Sequence, residues 1–291
     1  MSFKSLIQDL RGVRISSTSN SQSTKALLID QISQPIDGDV KKLIYKYAKE
    51  NDFIQKFKNV VIGEISNFTE KKSVTHFKYK ERIEESFIAD QTEIIALADK
   101  IKKNYKRVFI FSIGGSNLGP ALMNDIFKKD DFNINFITGS DPDEYSNIKI
   151  QDSDALVISS KSFGTLETLS SYKELCGNDF FEQTYAVTAD KIKAQDFGVH
   201  EKNIISFDSS TGGRFSIWSP INLALILLEG DQGYKDFLRG GKDMDAACLN
   251  NPENNPAFQL SAQDIIYNNI LDVETTLVVN YDYKLRNFIS F

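Results

Sequence analysis

Between residues 107 and 208 the chain sets down five short apolar runs, each closed by small or turn-forming residues and followed by a helix-like segment. They are "RVFIFSI" (107–113), "INFIT" (134–138), "ALVISS" (155–160), "TYAVTA" (184–189) and "IISFD" (204–208). The runs are continuously apolar rather than alternating, which suits strands buried on both faces of a parallel sheet. Intervening segments such as "GPALMNDIFKK" and "TLETLSSYKELC" supply the right-handed crossovers that parallel neighbours require. The pattern predicts an α/β domain, a doubly wound five-stranded parallel sheet with helices on both faces.

Residues 1–95 read differently. "VKKLIYKYAKENDFIQKFKNVVIGEISNF" carries Leu43, Ile44, Tyr47, Ile54, Phe57, Val60 and Val61 at helical spacing. "RISSTSNSQS" (14–23) reads as a loop, and no strand of comparable strength precedes residue 107. Near the other end "AFQLSAQDIIYNNILDVETTLVVNY" offers a helix and one further strand, "TTLVVNY" (275–281), with no partner strand after it. A lone strand would leave an unpaired edge and an exposed apolar face. The expected organisation is a helical region over 1–95, the sheet domain over 96–235, and the start of an incomplete second α/β domain over 236–291.

In doubly wound sheets ligands sit outside the carboxyl ends of the strands, where the strand order reverses. With an order of 2-1-3-4-5 the reversal falls beside the first strand of the domain, between the loops "GGSNLG" (114–119) and "SSKSFGTLET" (159–168). Gly114-Gly115-Ser116 leads into a helix, so free amides and a positive dipole end face any anion bound there. Alone, a Gly-Gly turn punctuates a strand as readily as it binds a ligand. The second loop repeats the chemistry with hydroxyls from Ser160, Ser162 and Thr165 and a charge from Lys161. A Ser or Thr followed by Glu167 could equally be ordinary helix capping. "SIGGSNLG" fits neither a dinucleotide fingerprint nor a Walker loop, which points to a small phosphorylated metabolite. A third segment, "TGGRF" (211–215), follows the fifth strand and holds Arg214 at the same rim, where a cation could stabilise a developing oxyanion.

Bulk properties narrow the classes without adding a site. A chain of 291 residues with 41% hydrophobic content and mean hydropathy of -0.30 is ordinary for a globular protein. A net charge of -6 and pI near 5.2 argue against binding nucleic-acid backbones. The Lys41-Lys42 and Lys102-Lys103 pairs read as solvated helix faces. No run reaches the length of a bilayer span, and "MSFKSLIQDL" is too polar for a secretory signal, so no membrane association and a cytoplasmic location are expected. Cys176 and Cys248 stand far apart, and His76 and His200 are the only imidazoles, so neither a disulfide nor a metal site is expected.

Taken together, "IGGSNLGP", "SSKSFGTLET" and "GGRFSIWSPIN" resemble the phosphate loops and Gly-Gly-Arg signature of the glucose-6-phosphate isomerase family, whose domains are sugar isomerase (SIS) domains. "NFTEKKSVTHF" (67–77) and "NNPAFQL" (254–260) also resemble family segments. The resemblance implies a three-layer αβα SIS domain with Gly115, Ser116, Ser160, Lys161, Ser162, Gly164, Thr165 and Gly213 around a hexose 6-phosphate. It implies that Arg214 stabilises a cis-enediolate during aldose–ketose isomerisation of glucose 6-phosphate and fructose 6-phosphate, a step of glycolysis and gluconeogenesis. It further implies no metal or organic cofactor, and a homodimer when the chain is full length.

Some positions depart from the family pattern. Gly164 and Leu166 replace the commoner Thr and Gln, Thr211 stands where an aliphatic residue is usual, and Lys80 replaces an arginine. In the family the base that moves the proton lies in a Met-Glu-Ser-Asn-Gly-Lys motif just after the region matching "VVNYDYKLRNFISF", beyond Phe291. Glu167 then corresponds to an orienting partner for a later histidine rather than to the base. His76 and His200, outside the crevice loops, are expected to be structural or surface residues. The 291 residues alone are expected to be inactive. A non-catalytic sugar-phosphate-binding SIS module, or a truncated remnant, is the alternative.

Overall fold

The computed structural model describes residues 1–23, 28–66, 68–69 and 71–291, so Asn67 and Glu70 of the 67–77 segment lie outside the described residues. Two compact units emerge, one built from Met1–Val74 and Arg239–Leu277, the other from Thr75–Leu238 and Val278–Phe291. They do not break at 95 and 235. Residues 76–95 belong with the sheet because the helix they enter packs Ile94, Leu97, Ala98 and Ile101 into its core.

In the first unit α1 (Phe3–Arg11) is followed by an antiparallel hairpin, β1 (Thr18–Ser23) and β2 (Leu28–Gln34), then α2 (Gly38–Glu50) and α3 (Phe53–Val61). Over 18–23 the hairpin overturns the reading of 14–23 as a loop, and it puts two strands before residue 107, where no run of comparable strength marks one. "TSNSQS" has no apolar alternation to betray it; its ladder runs from Thr18 opposite Gln34 to Ser23 opposite Leu28. The helical stretch at 40–61 is two helices, broken at Asp52, whose φ of 51° is left-handed. Leu6, Leu10, Val40, Ile44, Phe258 and Ile266 form the core of this unit.

The second unit opens with α4 (His76–Glu81) and α5 (Glu85–Asn104), then winds the sheet: β3 (Arg107–Phe111), α6 (Gly115–Phe127), β4 (Asn133–Ile137), α7 (Pro142–Tyr145), β5 (Asp154–Ser159), α8 (Leu166–Cys176), β6 (Thr184–Thr188), α9 (Lys191–Phe197) and β7 (Ile204–Ser206). All four pairings are parallel and the order is β4-β3-β5-β6-β7. Each expected strand is present within a residue or two of its apolar run. Alternate side chains explain why the runs are continuous. Val108, Ile110, Val157 and Val187 pack toward α5, α6 and the start of α10 (Leu223–Cys248). Phe109, Phe111, Leu156, Ile158 and Ala186 pack on the opposite face with Tyr172, Cys176 and Ala194. Both faces are therefore dry, and the architecture is three-layered.

The α10 helix is broken at Gly230, whose φ of 72° no other residue adopts cheaply, and α11 (Pro256–Asn269) supplies the helix expected near the end. Asn255 caps α11, its Oδ1 accepting from the Phe258 amide at 3.0 Å, with Pro256 in the first turn. The strand expected at 275–281 is not formed. Residues 272–281 have no regular structure, and Leu277 and Tyr281 are 87% and 99% exposed. An apolar run becomes a strand only when a neighbour accepts its ladder, and among the described residues none does.

One ion pair anchors the start of the sheet. Arg107 and Asp154 are register partners at the amino ends of β3 and β5, and the guanidinium grips the carboxylate at 2.8 and 2.6 Å. The Asp154 side chain is 2% exposed and also accepts from the Gln151 amide at 2.8 Å. Replacing Asp154 by Ala strands a half-buried guanidinium and should cost about 3 kcal/mol. Urea unfolding measures it, and a loss below about 0.5 kcal/mol would show that the pair contributes nothing net.

Candidate functional site

The strand order places the topological switch beside β3, flanked by β4 on one side and β5 on the other. Phe111 and Ile158 are register partners, so the loops after β3 and β5 leave the same edge of the sheet from adjacent strands. After β3 the chain turns at Gly114, with φ of 53° and ψ of -129°, and enters α6 at Gly115. The amino end of a 13-residue helix therefore faces the crevice, as the sequence suggests.

The third segment arrives from farther away. β7 lies three strand spacings from β3, about 14 Å at the usual separation. Yet residues 207–214 return across the strand ends until Gly213 touches Gly115. A Cβ on Gly115 would stand 2.2 Å from the Gly213 carbonyl oxygen and 3.0 Å from the Arg214 amide nitrogen, distances no side chain tolerates. Ser216 fastens the contact, its hydroxyl donating toward the carbonyls of Gly213 at 2.7 Å and Gly115 at 3.0 Å. One turn along α6, a Cβ on Gly119 would meet Ile217 at 3.0 Å. The two Gly-Gly segments, nearly a hundred residues apart, thus form one backbone unit.

Arg214 rises from this unit exposed, its guanidinium 5.3 Å from the centre of the Phe215 ring. No carboxylate among the described residues pairs with it. Phe215 in turn stacks on His76, with centroids 4.4 Å apart and planes at 17°. The sequence places His76 away from the crevice, but it lies beneath the residue next to Arg214. Burial, helped by the nearby Lys80 charge, pushes its pKa down to about 3, so the ring is neutral at physiological pH. Lys80 itself is buried, its ammonium over the rings of Phe77 at 4.6 Å and Trp218 at 4.8 Å. His200 is a surface residue as expected, Nε2 lying 2.9 Å from Glu182 Oε1.

The loop after β5 is held from behind. The Lys161 carbonyl accepts from the Ala189 amide at 3.0 Å and the Thr188 hydroxyl at 3.2 Å, and the Ser162 carbonyl from Lys193 at 3.3 Å. Phe163 adopts a left-handed φ of 43° and buries its ring against Phe197 at 5.7 Å. With that phenyl as a pin, Ser162 and Gly164 are left exposed. Thr165 is the cap residue of α8, yet its hydroxyl makes no capping bond; it lies 3.1 Å from the Ser160 hydroxyl. The capping alternative for this hydroxyl does not hold. Ser116, in the first turn of α6, is partly exposed, and Glu167, in the first turn of α8, is exposed.

Sequence reasoning missed His76 and the Lys80–Trp218 contact. The only signal was the segment containing His76, with nothing in it to say that the ring would meet Phe215 from 139 residues away. Cavities elsewhere, of about 530 Å³ around Tyr45 and Gln55 and about 260 Å³ around Ile44 and Phe258, carry none of the loop residues.

A five-stranded parallel sheet of this order, with glycine and hydroxyl loops at its switch point, defines a doubly wound α/β domain suited to small anionic ligands. The family model for phosphoglucose isomerase matches residues 30–291, and the chain belongs to that family. Glucose-6-phosphate isomerase of Stutzerimonas stutzeri (strain A1501) is 30% identical over 93% of this chain and 55% of its own length. The enzyme of that name from Shewanella putrefaciens is 27% identical, with 93% and 56% covered. The chain spans about half the length of the curated relatives it matches. A crystal structure of a glucose-6-phosphate isomerase from Chlamydia trachomatis shares the fold with a TM-score of 0.78 at 21% identity, over 99% of this chain and 59% of that one. A hypothetical protein of Thermus thermophilus aligns with a TM-score of 0.55 at 16% identity, over 74% of this chain and 52% of that one. No helix among the described residues is long and apolar enough to cross a membrane.

The neutral, buried His76 predicts a specific acid sensitivity. Below pH 6.5 the unfolded chain takes up a proton at this residue that the folded chain refuses until about pH 3, so stability falls as pH drops through that window. At pH 4.5 this component is about 2–3 kcal/mol relative to pH 7. The His76→Phe variant should lose correspondingly less stability between the two pH values in urea titrations. Equal losses in both proteins would contradict the assignment.

Proposed function

We propose that these residues form the sugar-phosphate-gripping and oxyanion-stabilising part of a glucose-6-phosphate isomerase, which interconverts glucose 6-phosphate and fructose 6-phosphate through a cis-enediolate. One observation carries it: the Gly115–Gly213 backbone contact brings the amino end of α6 and the guanidinium of Arg214 to a single edge of the sheet. The reaction needs an anchored phosphate on one side and a cation near the reacting carbon–oxygen bond on the other. The amides at Gly115 and Ser116, with the hydroxyls of Ser116, Ser160, Ser162 and Thr165, would hold the phosphate, assisted by Lys161 and by the open backbone at Gly164. Gly213 would allow the sugar to approach the backbone closely. Arg214 would face the oxygens that become negative when a proton leaves C2, and such placed charge is worth most where it develops in the transition state.

Moving the proton from C2 to C1 needs a base, and opening the ring needs an acid. Glu167 is the one carboxylate in the 159–168 loop, and its side chain stands exposed with no hydrogen-bond partner among the described residues. It is assigned to orienting an acid–base group rather than to taking the proton itself. The base and the ring-opening group would come from outside the residues described. Binding without turnover, by a sensor-like SIS module or a remnant, is the second reading, and the lack of a buried carboxylate in these loops favours it for residues 1–291 alone. A domain of the SIS type over the sheet and a homodimer of the full-length chain complete the proposal on the resemblance alone, and a cytoplasmic location is proposed with them.

Calorimetry with the folded chain should detect glucose 6-phosphate and fructose 6-phosphate, with inorganic phosphate competing. Gly115→Ala should abolish that binding, because the new Cβ displaces Gly213. Arg214→Ala should leave hexose 6-phosphate binding within a few-fold but weaken a five-carbon hydroxamate phosphate, which mimics the enediolate, by ~100-fold, equivalent to about 3 kcal/mol. A folded chain that binds no hexose phosphate would overturn the proposal. Turnover by the folded chain in a coupled assay would exclude the second reading and would show that the base lies within these residues.

A further inference from the structure

The segment that carries Arg214 is attached to the rest of its unit at a second place. Thr75 is 5% exposed, and its hydroxyl donates to Asp208 Oδ1 at 3.0 Å. The same hydroxyl lies 3.2 Å from the hydroxyl of Thr211, which is fully buried. A hydroxyl has one proton to give. The Asp208 carboxylate can only accept, so the Thr75 proton goes to it, and Thr75 must accept from Thr211. The direction of the chain is thereby fixed: Thr211 donates to Thr75, which donates to Asp208.

Other groups hold Asp208 too. Its Oδ1 takes the Ser210 amide at 2.8 Å, its carbonyl takes the Thr211 amide at 3.1 Å, and its own amide donates to the Tyr79 hydroxyl at 3.1 Å. The Tyr79 hydroxyl donates to Asp90 Oδ2 at 2.9 Å. Residues 75–90 thus grip the 208–211 turn through side chains 130 or so positions away, and Arg214 follows three residues later. Gly212 and Gly213 between them have no side chain to anchor, so the turn and Ser216 are what define where the guanidinium stands. Thr211 is fully buried, and the Thr75 hydroxyl is the partner that lets a polar side chain be buried there.

We infer that Thr75 is a positioning residue for Arg214, acting through Asp208 and Thr211. The ligand consequence rests on the sugar-phosphate site proposed above; the positioning itself does not. Linked hydrogen bonds to a charged acceptor reinforce one another, so removing the middle member releases both ends. Thr75→Val, which keeps the shape, leaves Thr211 with a buried orphan hydroxyl and Asp208 short of one donor.

Amide hydrogen exchange on the full chain tests the positioning without a ligand. Thr75→Val should speed exchange at Ser210, Thr211 and Phe215 at least tenfold, while amides of β3 and β5 stay within twofold and Thr75→Ser behaves as the parent. Unchanged exchange at the three amides, or an equal increase across the sheet, would overturn the inference. Should Thr75→Val fail to fold, Thr211→Val is the second variant: it removes the donor to Thr75 and should speed the same three amides about threefold, and no change there would equally overturn it. In calorimetry, Thr75→Val should lower the preference for the hydroxamate phosphate over glucose 6-phosphate about tenfold, and Thr75→Ser should restore it; a preserved preference would limit Thr75 to a structural role. If the parent chain binds neither ligand, the sugar-phosphate proposal fails while the exchange data still decide on Thr75.

Discussion

The site depends on a place where two backbones touch with nothing between them. The phosphate-type loop after β3 is fixed to the sheet, whereas the Arg214 segment begins three strands away and must come back over the strand ends. Direct contact is possible only because Gly115 has no Cβ to strike Gly213. Side chains could have bridged the two segments instead, but a bridge of flexible bonds transmits position poorly. Backbone against backbone, with the Ser216 hydroxyl serving both carbonyls, fixes the spacing between the amino end of α6 and the backbone of Arg214. This explains why glycine is needed at a point that is neither a tight turn nor a positive-φ position, since Gly115 is helical.

The loop after β5 solves a different problem by different means. Its backbone curls so that Ser162 is exposed while Ser160 stays buried, and a buried aromatic pins the turn. Phe163 accepts a left-handed backbone conformation, costing about 1–2 kcal/mol, in return for a ring packed on Phe197. Gly164 is exposed, and Leu166 is 75% exposed, outside any packing. The hydroxyls of Ser160 and Thr165, by contrast, face each other at 3.1 Å, a pairing a ligand oxygen can replace with little cost.

How much of this could be read from the residues follows from the range of each interaction. The five strands were legible because burial on both faces writes an unbroken apolar run, and the switch point followed from the strand order. The place of Arg214 was legible because its segment follows the fifth strand, at the carboxyl-end rim of the sheet. The β1–β2 hairpin was not, since "TSNSQS" buries no apolar stripe and is a strand only by virtue of its partner. The 275–281 run failed in the opposite sense: its composition says strand, but a ladder needs a neighbour that the described residues do not supply. Thr75, Tyr79 and His76 were invisible for a third reason. Each works through a residue more than 125 positions away, and no local pattern encodes such a contact.

Charge placement around Arg214 shows why those long-range contacts matter. Lys80 is buried on the rings of Phe77 and Trp218, and His76 stacks on Phe215, the same ring that Arg214 lies against. A protonated His76 would add a cation to a region that already holds two, with no carboxylate paired to Arg214. Burial removes that possibility by keeping the imidazole neutral. An aromatic surface, rather than a carboxylate, then supports the guanidinium. A carboxylate partner would hold Arg214 more tightly but would have to be given up before an anion could bind, and the exchange would cancel much of the gain. An arginine resting on Phe215 keeps its donors free and its charge uncompensated, as the proposed oxyanion-stabilising role requires.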